Sequence, residues 1–187
     1  MSDDVKRLID DIRSPDARMK FGAAKEIRRL SAEAPHSVYP YFDVLVSLLD
    51  GGNTILKWNA ILAIGDLSAV DDQGKVDPLV EKFITYLGEG SMITANNTIV
   101  ALTTIARNDL RHRARIIDAL CAVESHEYDT EECRGIVIGK AILALDELRD
   151  HLRGDTLVID FLRRHTSSVR PTTARNAQRL LDVLADR

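Results

Sequence analysis

Met19-Lys20-Phe21-Gly22-Ala23-Ala24-Lys25-Glu26-Ile27-Arg28-Arg29-Leu30 aligns without a gap on Leu56-Lys57-Trp58-Asn59-Ala60-Ile61-Leu62-Ala63-Ile64-Gly65-Asp66-Leu67. In both stretches an apolar residue is followed by Lys, an aromatic, a small or polar residue and then Ala, and the copies lie 37 residues apart. Fainter copies end at Ile105, Leu145 and Leu184, so the last apolar residues of the five blocks are separated by 37, 38, 40 and 39 residues. A steady period of this length is the signature of a repeat architecture, in which one supersecondary unit cannot bury its apolar face alone and stacks on its neighbours.

Each block is helical by pattern, because its apolar residues recur three and four apart; Ala60, Ile61, Ile64 and Leu67 fall on one stripe. A second amphipathic segment precedes every block, at residues 5–12, 38–49, 78–87, 115–123 and 156–162. Turn and capping residues stand ahead of the second helices: Ser14-Pro15-Asp16, Gly51-Gly52-Asn53-Thr54, Gly88-Glu89-Gly90-Ser91 and Asp129-Thr130. Strand-like alternation is absent. The pattern predicts an all-α chain of about ten helices in five antiparallel pairs, an α-α superhelix forming a single solenoid domain over residues 1–187. The expected repeats cover approximately 3–34, 37–71, 76–108, 109–150 and 154–187.

The stretch Leu56 to Leu67 resembles the second helix of a HEAT repeat, whose pattern runs V-R-x-x-A-A-x-A-L-G-x-L; the match covers Leu56-Lys57, Ala60-Ile61, Ala63-Ile64-Gly65 and Leu67. Met19 to Leu30 is similar to the same helix with Arg28 in place of Gly, and the later copies carry Thr103, Leu143 and Asp182 there. The resemblance implies a HEAT/ARM-like solenoid serving as a scaffold or protein-binding surface. Small residues at Gly22, Ala23, Ala24, Ala60, Ala63 and Gly65 are expected to let neighbouring helices approach closely. The second helices are expected to form the concave layer.

Composition narrows the function classes. The 187 residues are 45% apolar, 29% charged and 5% aromatic, with a net charge of -4, which is a soluble globular composition able to bury a core without staples. Apolar runs such as 61–64 and 136–138 are far too short to span a bilayer, so no membrane association is expected. The start Met1-Ser2-Asp3-Asp4 is acidic and lacks a secretory pattern, which places the protein in the cytoplasm. Cys121 and Cys133 form no C-x-x-C pair, and their spacing with His112 and His126 fits no usual zinc pattern, so neither metal nor cofactor is expected.

No Gly-rich phosphate loop, H-E-x-x-H or G-x-S-x-G motif occurs, and no catalytic residue is assigned. The five histidines fall mainly near helix ends or loops, where solvated imidazoles are the rule. The expected role is a non-catalytic scaffold or adaptor binding a protein partner, as a monomer or weak homodimer. Candidate partner-binding residues are Lys20, Lys57, Asn59, Asn96, Asn97, Arg134, Arg175 and Arg179, basic groups and uncharged amides on or near second helices. The alternative is a nucleic-acid-binding protein, since Trp58 and Asp66 resemble the Trp and Asp that alkylpurine DNA glycosylases carry on a HEAT-like groove. It is disfavoured because Asp71, Asp72, Asp77, Glu81 and Glu89 surround that segment, and phosphates would be repelled.

Overall fold

The computed structural model describes residues 2–185, and every regular element among them is helical. The first pair consists of α1 (Ser2–Asp11) and α2 (Ala17–Glu33). In the second pair the leading helix is broken into α3 (Pro35–Val38), a 3-10 turn at Tyr39–Tyr41 and α4 (Phe42–Leu49), followed by α5 (Thr54–Leu67). The break falls at Pro40, which has no N–H to give to a helix, and the backbone leaves helical geometry at Tyr41, with φ of -105° and ψ of 17°. There follow α6 (Asp77–Tyr86) and α7 (Met92–Asn108), then two pairs, α8 (Leu110–Ala122) with α9 (Glu131–Glu147) and α10 (Thr156–His165) with α11 (Pro171–Ala185). This is an all-α helical repeat fold.

The capping residues do what their position in the sequence predicts. Asp16, Asn53, Ser91 and Thr130 each stand directly before a second helix, and their side-chain oxygens accept from the backbone N–H three residues on, at 2.8, 3.1, 3.3 and 3.1 Å. Each bond satisfies a donor that the first helical turn would leave orphaned. Gly90 and Gly154 precede the caps Ser91 and Asp155 with φ of 85° and 74°, the left-handed geometry that side-chain-bearing residues avoid.

The chain divides into two compact units, residues 1–80 and 81–187. In the first, α2 packs on α5, with α1 and α4 backing them. Its core joins Ala23, Ala24 and Ile27 to Ala60, Ile61, Ile64 and Leu67, with Phe42 and Leu45 beneath. The loop after α5 is tied down by Tyr39, whose hydroxyl donates to Asp71 at 2.5 Å while the same carboxylate accepts from the N–H groups of Lys75 and Val76.

In the second unit the second helices lie side by side, α9 touching α7 on one flank and α11 on the other, and α8 and α10 form the backing layer. Ile99, Leu102 and Ile105 meet Val137, Ala141, Ile142 and Leu145 in the core, and Thr173, Ala177 and Leu180 complete it. Small residues on α9 set one spacing: a Cβ on Gly139 would lie 2.8 Å from Thr173 Oγ1, and one on Gly135 would lie 2.8 Å from Arg170 Cδ. The expectation that Gly22 serves the same purpose in α2 does not hold. Gly22 is exposed, and apart from its own chain neighbours and helix backbone no described atom lies within 4 Å of where its Cβ would stand.

Candidate functional site

In the second unit a groove crosses the exposed side of the three second helices. Its main cavity, of about 230 Å³, is lined by Asn96 from α7, by Ile136, Gly139, Lys140 and Leu143 from α9, and by Arg170, Thr172, Thr173 and Asn176 at the start of α11. A smaller cavity of about 40 Å³ continues it between α7 and α9 and shares Lys140 and Leu143, with Val100 and Thr104 on the opposite wall. The helix period explains the lining. Lys140 is the one charge in the run Ile136-Val137-Ile138-Gly139-Lys140-Ala141-Ile142-Leu143, so it marks the solvent side of α9, and Ile136 and Leu143 at minus four and plus three share its stripe. Along the same side of α7, Ile93 and Val100 are exposed at 46% and 36%, and Leu143 on α9 at 42%. Apolar side chains of this size are left open to solvent next to polar groups that converge on them.

Two of those polar groups are uncommitted. Asn96 Oδ1 is buried and accepts no hydrogen bond, and Lys140 has no ion pair among the described residues. The acids nearby are already occupied. Asp146 receives Arg179 at 2.6 Å and Arg149 at 3.4 Å, and Glu147 lies 3.5 Å from Arg107. Among the described residues Arg170 has only a loose contact to Glu132 at 3.7 Å, and Arg175 reaches no carboxylate, touching Thr172 Oγ1 at 3.5 Å. The groove therefore carries an excess of positive charge.

The candidate residues named from the sequence separate into groups. Asn96 lies in the groove, and Arg175 and Arg179 lie along α11 beside it. Asn97 Nδ2 donates to Ile93 O one turn back at 3.0 Å, and Asn59 does the same to Ile55 O at 2.8 Å, so each amide nitrogen is spent within its own helix. Arg134 is spent internally: its Nε donates to the backbone carbonyl of Glu124 at 3.0 Å, and its Nη2 to the same oxygen. Lys20 on α2 and Lys57 on α5 are partly exposed in the first unit. Lys140, Ile136, Leu143 and Asn176 are groove residues that the sequence reading did not single out. The lone charge in an apolar run was the signal that marks the first three.

Two other concavities are weaker candidates. A cavity of about 600 Å³ in the first unit is lined by Lys25, Glu26, Arg28, Arg29, Glu33 and Asp66, with only Gly22 and Ala32 as apolar lining. Its charges cancel, since Arg29 pairs with Glu26 and Glu33, while Arg28 lies near Asp66, whose carboxyl burial pushes up against the pull of that guanidinium. Trp58 does not line this cavity, so the aromatic–acid pair of the nucleic-acid reading is not assembled there. The other, about 430 Å³, surrounds Glu124, Arg134, Arg164 and His165. Arg164 grips the Glu124 carboxylate with Nη2 at 2.6 Å and Nε at 3.2 Å, and His165 Nε2 lies 2.9 Å from it. Burial pushes this carboxyl up, but the bonds from Arg164 and His165 outweigh it and hold it below its ordinary range. His165 is therefore a partly buried member of an ion cluster rather than a solvated loop histidine. Cys121 is buried, and desolvation together with Asp155, Asp118 and Glu124 pushes its thiol up to about 12, which removes it as a nucleophile at neutral pH.

No protein-family model matches the chain, and no curated relative matches it. Solved structures do. A crystal structure of an engineered protein from the Northeast Structural Genomics Consortium is similar at a TM-score of 0.65 and 18% identity, over 96% of this chain and 47% of that one. Two further engineered proteins from the same source are similar at TM-scores of 0.57 and 0.55 with 14% identity, over 98% of this chain and 97% and 99% of theirs. At these identities the likeness is one of fold alone. No helix among the described residues is long and apolar enough to cross a membrane.

Proposed function

We propose that this chain is a HEAT-like α-solenoid protein acting as a non-catalytic protein-binding scaffold or adaptor, with the exposed side of its second helices as the contact surface. The observation that carries this reading is the groove on α7, α9 and α11, where Val100 and Leu143 stay exposed beside the unpaired Asn96 oxygen and Lys140 ammonium. Apolar patches rimmed by polar groups are where soluble proteins dock partners. The cavity, about 230 Å³, falls below the several hundred Å³ that typical small-molecule sites occupy, so it suits a partner's side chain rather than an enclosed substrate.

A photo-crosslinking residue at position 143, compared with one at the exposed Asp118 on α8, tests the reading in native lysate. Protein adducts formed from position 143 and absent from position 118 support it. Adducts equal at the two positions, or formed from neither, count against it, and adducts removed by nuclease treatment transfer the surface to nucleic acid.

A further inference from the structure

We infer that the groove on α7, α9 and α11 receives a peptide segment in which an acidic side chain stands close to an aliphatic one. Lys140 takes the carboxylate, and Ile136, Leu143 and Val100 form the wall for the aliphatic group. This rests on the protein-binding reading and adds the chemistry of the partner.

Charge balance selects the acid. Asp146 is engaged by two guanidinium groups and Glu147 by Arg107, whereas Lys140 and Arg175 have no carboxylate among the described residues and Arg170 only a distant one. A basic or neutral segment would leave that excess uncompensated, and like charges brought together at an interface are disfavoured. The apolar wall selects the second feature. Exposed ion pairs supply steering and discrimination, while affinity comes from an apolar anchor seated in a desolvated pocket. Lys140 and Leu143 each line both cavities, so the charge and the apolar wall are adjacent and one short segment can engage both.

The test is panning a phage-displayed random dodecapeptide library against the wild-type protein, Lys140→Glu and Leu143→Ser, with circular dichroism confirming that all three are folded. On the wild type the selected pool should be enriched in Asp or Glu within four positions of Leu, Ile or Val. Lys140→Glu should shift the pool toward Lys and Arg and bind the wild-type peptides at least about tenfold more weakly. Leu143→Ser should lose the aliphatic requirement while keeping the acidic one. A wild-type pool without acidic enrichment, no selectable pool at all, or the same pool from Lys140→Glu overturns the inference. So does a single-stranded DNA 20-mer that displaces the peptides and depends on Lys140. If position 143 crosslinks protein in lysate and panning shows no acidic preference, the scaffold reading stands and only this assignment falls.

Discussion

Thr173 lies against Gly139 so closely that a Cβ on the glycine would stand 2.8 Å from the threonine Oγ1, inside the distance that real contacts keep. Thr173 is a buried, β-branched residue on α11 and cannot swing away as a long flexible side chain would. Gly139→Ala therefore meets two opposing effects. Alanine gains up to about 1 kcal/mol of helix propensity, and overpacking costs about 1–3 kcal/mol. The net expectation is a loss of stability by urea denaturation, and adding Thr173→Ala should restore part of it, since residues in contact couple by about 0.5–3 kcal/mol. Strictly additive effects would show that α9 and α11 are spaced further apart.

Gly22 on α2 gives the opposite expectation from the same substitution. It is exposed inside a helix, with ordinary backbone geometry and open space where a Cβ would go. Gly22→Ala should stabilise by about 0.5–1 kcal/mol, raising the melting temperature by roughly 1–4 °C. A decrease would mean that a partner surface or a neighbouring element occupies that space.

What the sequence made legible, and what it did not, divides along physical lines. Helix pairing and capping are local, so the period located the pairs and Asp16, Asn53, Ser91 and Thr130 were recognisable as caps. The period also placed Leu67, Ile105 and Leu145 in the core, where they are fully buried. Leu30 and Leu184, its first and last members, are only partly buried, and in α11 the leucine that is sealed is Leu180, beside Ala177. Lateral contacts were not legible. Whether Arg179 faces a partner or Asp146, 33 residues earlier, depends on how α11 is rotated against α9, which spacing within either helix does not determine. Arg134 is lost to the carbonyl of Glu124 for the same reason. Lys140 was readable in principle, because a single charge in an apolar helix has to point outward.

Ala60 tests the register of α5. It is 1% exposed and sits in a seam with Ile12, Ala24, Ile27, Leu45 and Leu48 that has no room for a water molecule. Ala60→Leu adds a branched side chain where nothing can yield without moving the backbone, so it should cost about 1–3 kcal/mol. For a chain of this length that corresponds to a melting temperature lower by roughly 3–10 °C in a thermal scan. A neutral outcome would mean that the stripe is turned away from α2 and α4.

Glu124 links the turn after α8 to the end of α10, because its carboxylate holds both Arg164 and His165. Its pKa is lowered from the ordinary 4.5: burial raises it, and the bonds from Arg164 and His165 more than reverse that. A carboxyl whose folded value is depressed binds protons more readily in the unfolded chain. Its stabilisation is therefore present above about pH 4.5 and disappears as the pH falls through the lower folded value. Glu124→Gln should destabilise the protein by about 1 kcal/mol at pH 7, where the charge-assisted bonds from the half-exposed Arg164 are weakened. In urea titrations the gap between the variant and the wild type should hold from pH 7 to pH 5 and narrow steadily below pH 4. A gap that is the same at pH 3 and pH 7 would show that the carboxylate does not carry the link, and that the turn is held instead by Arg134 on the Glu124 carbonyl.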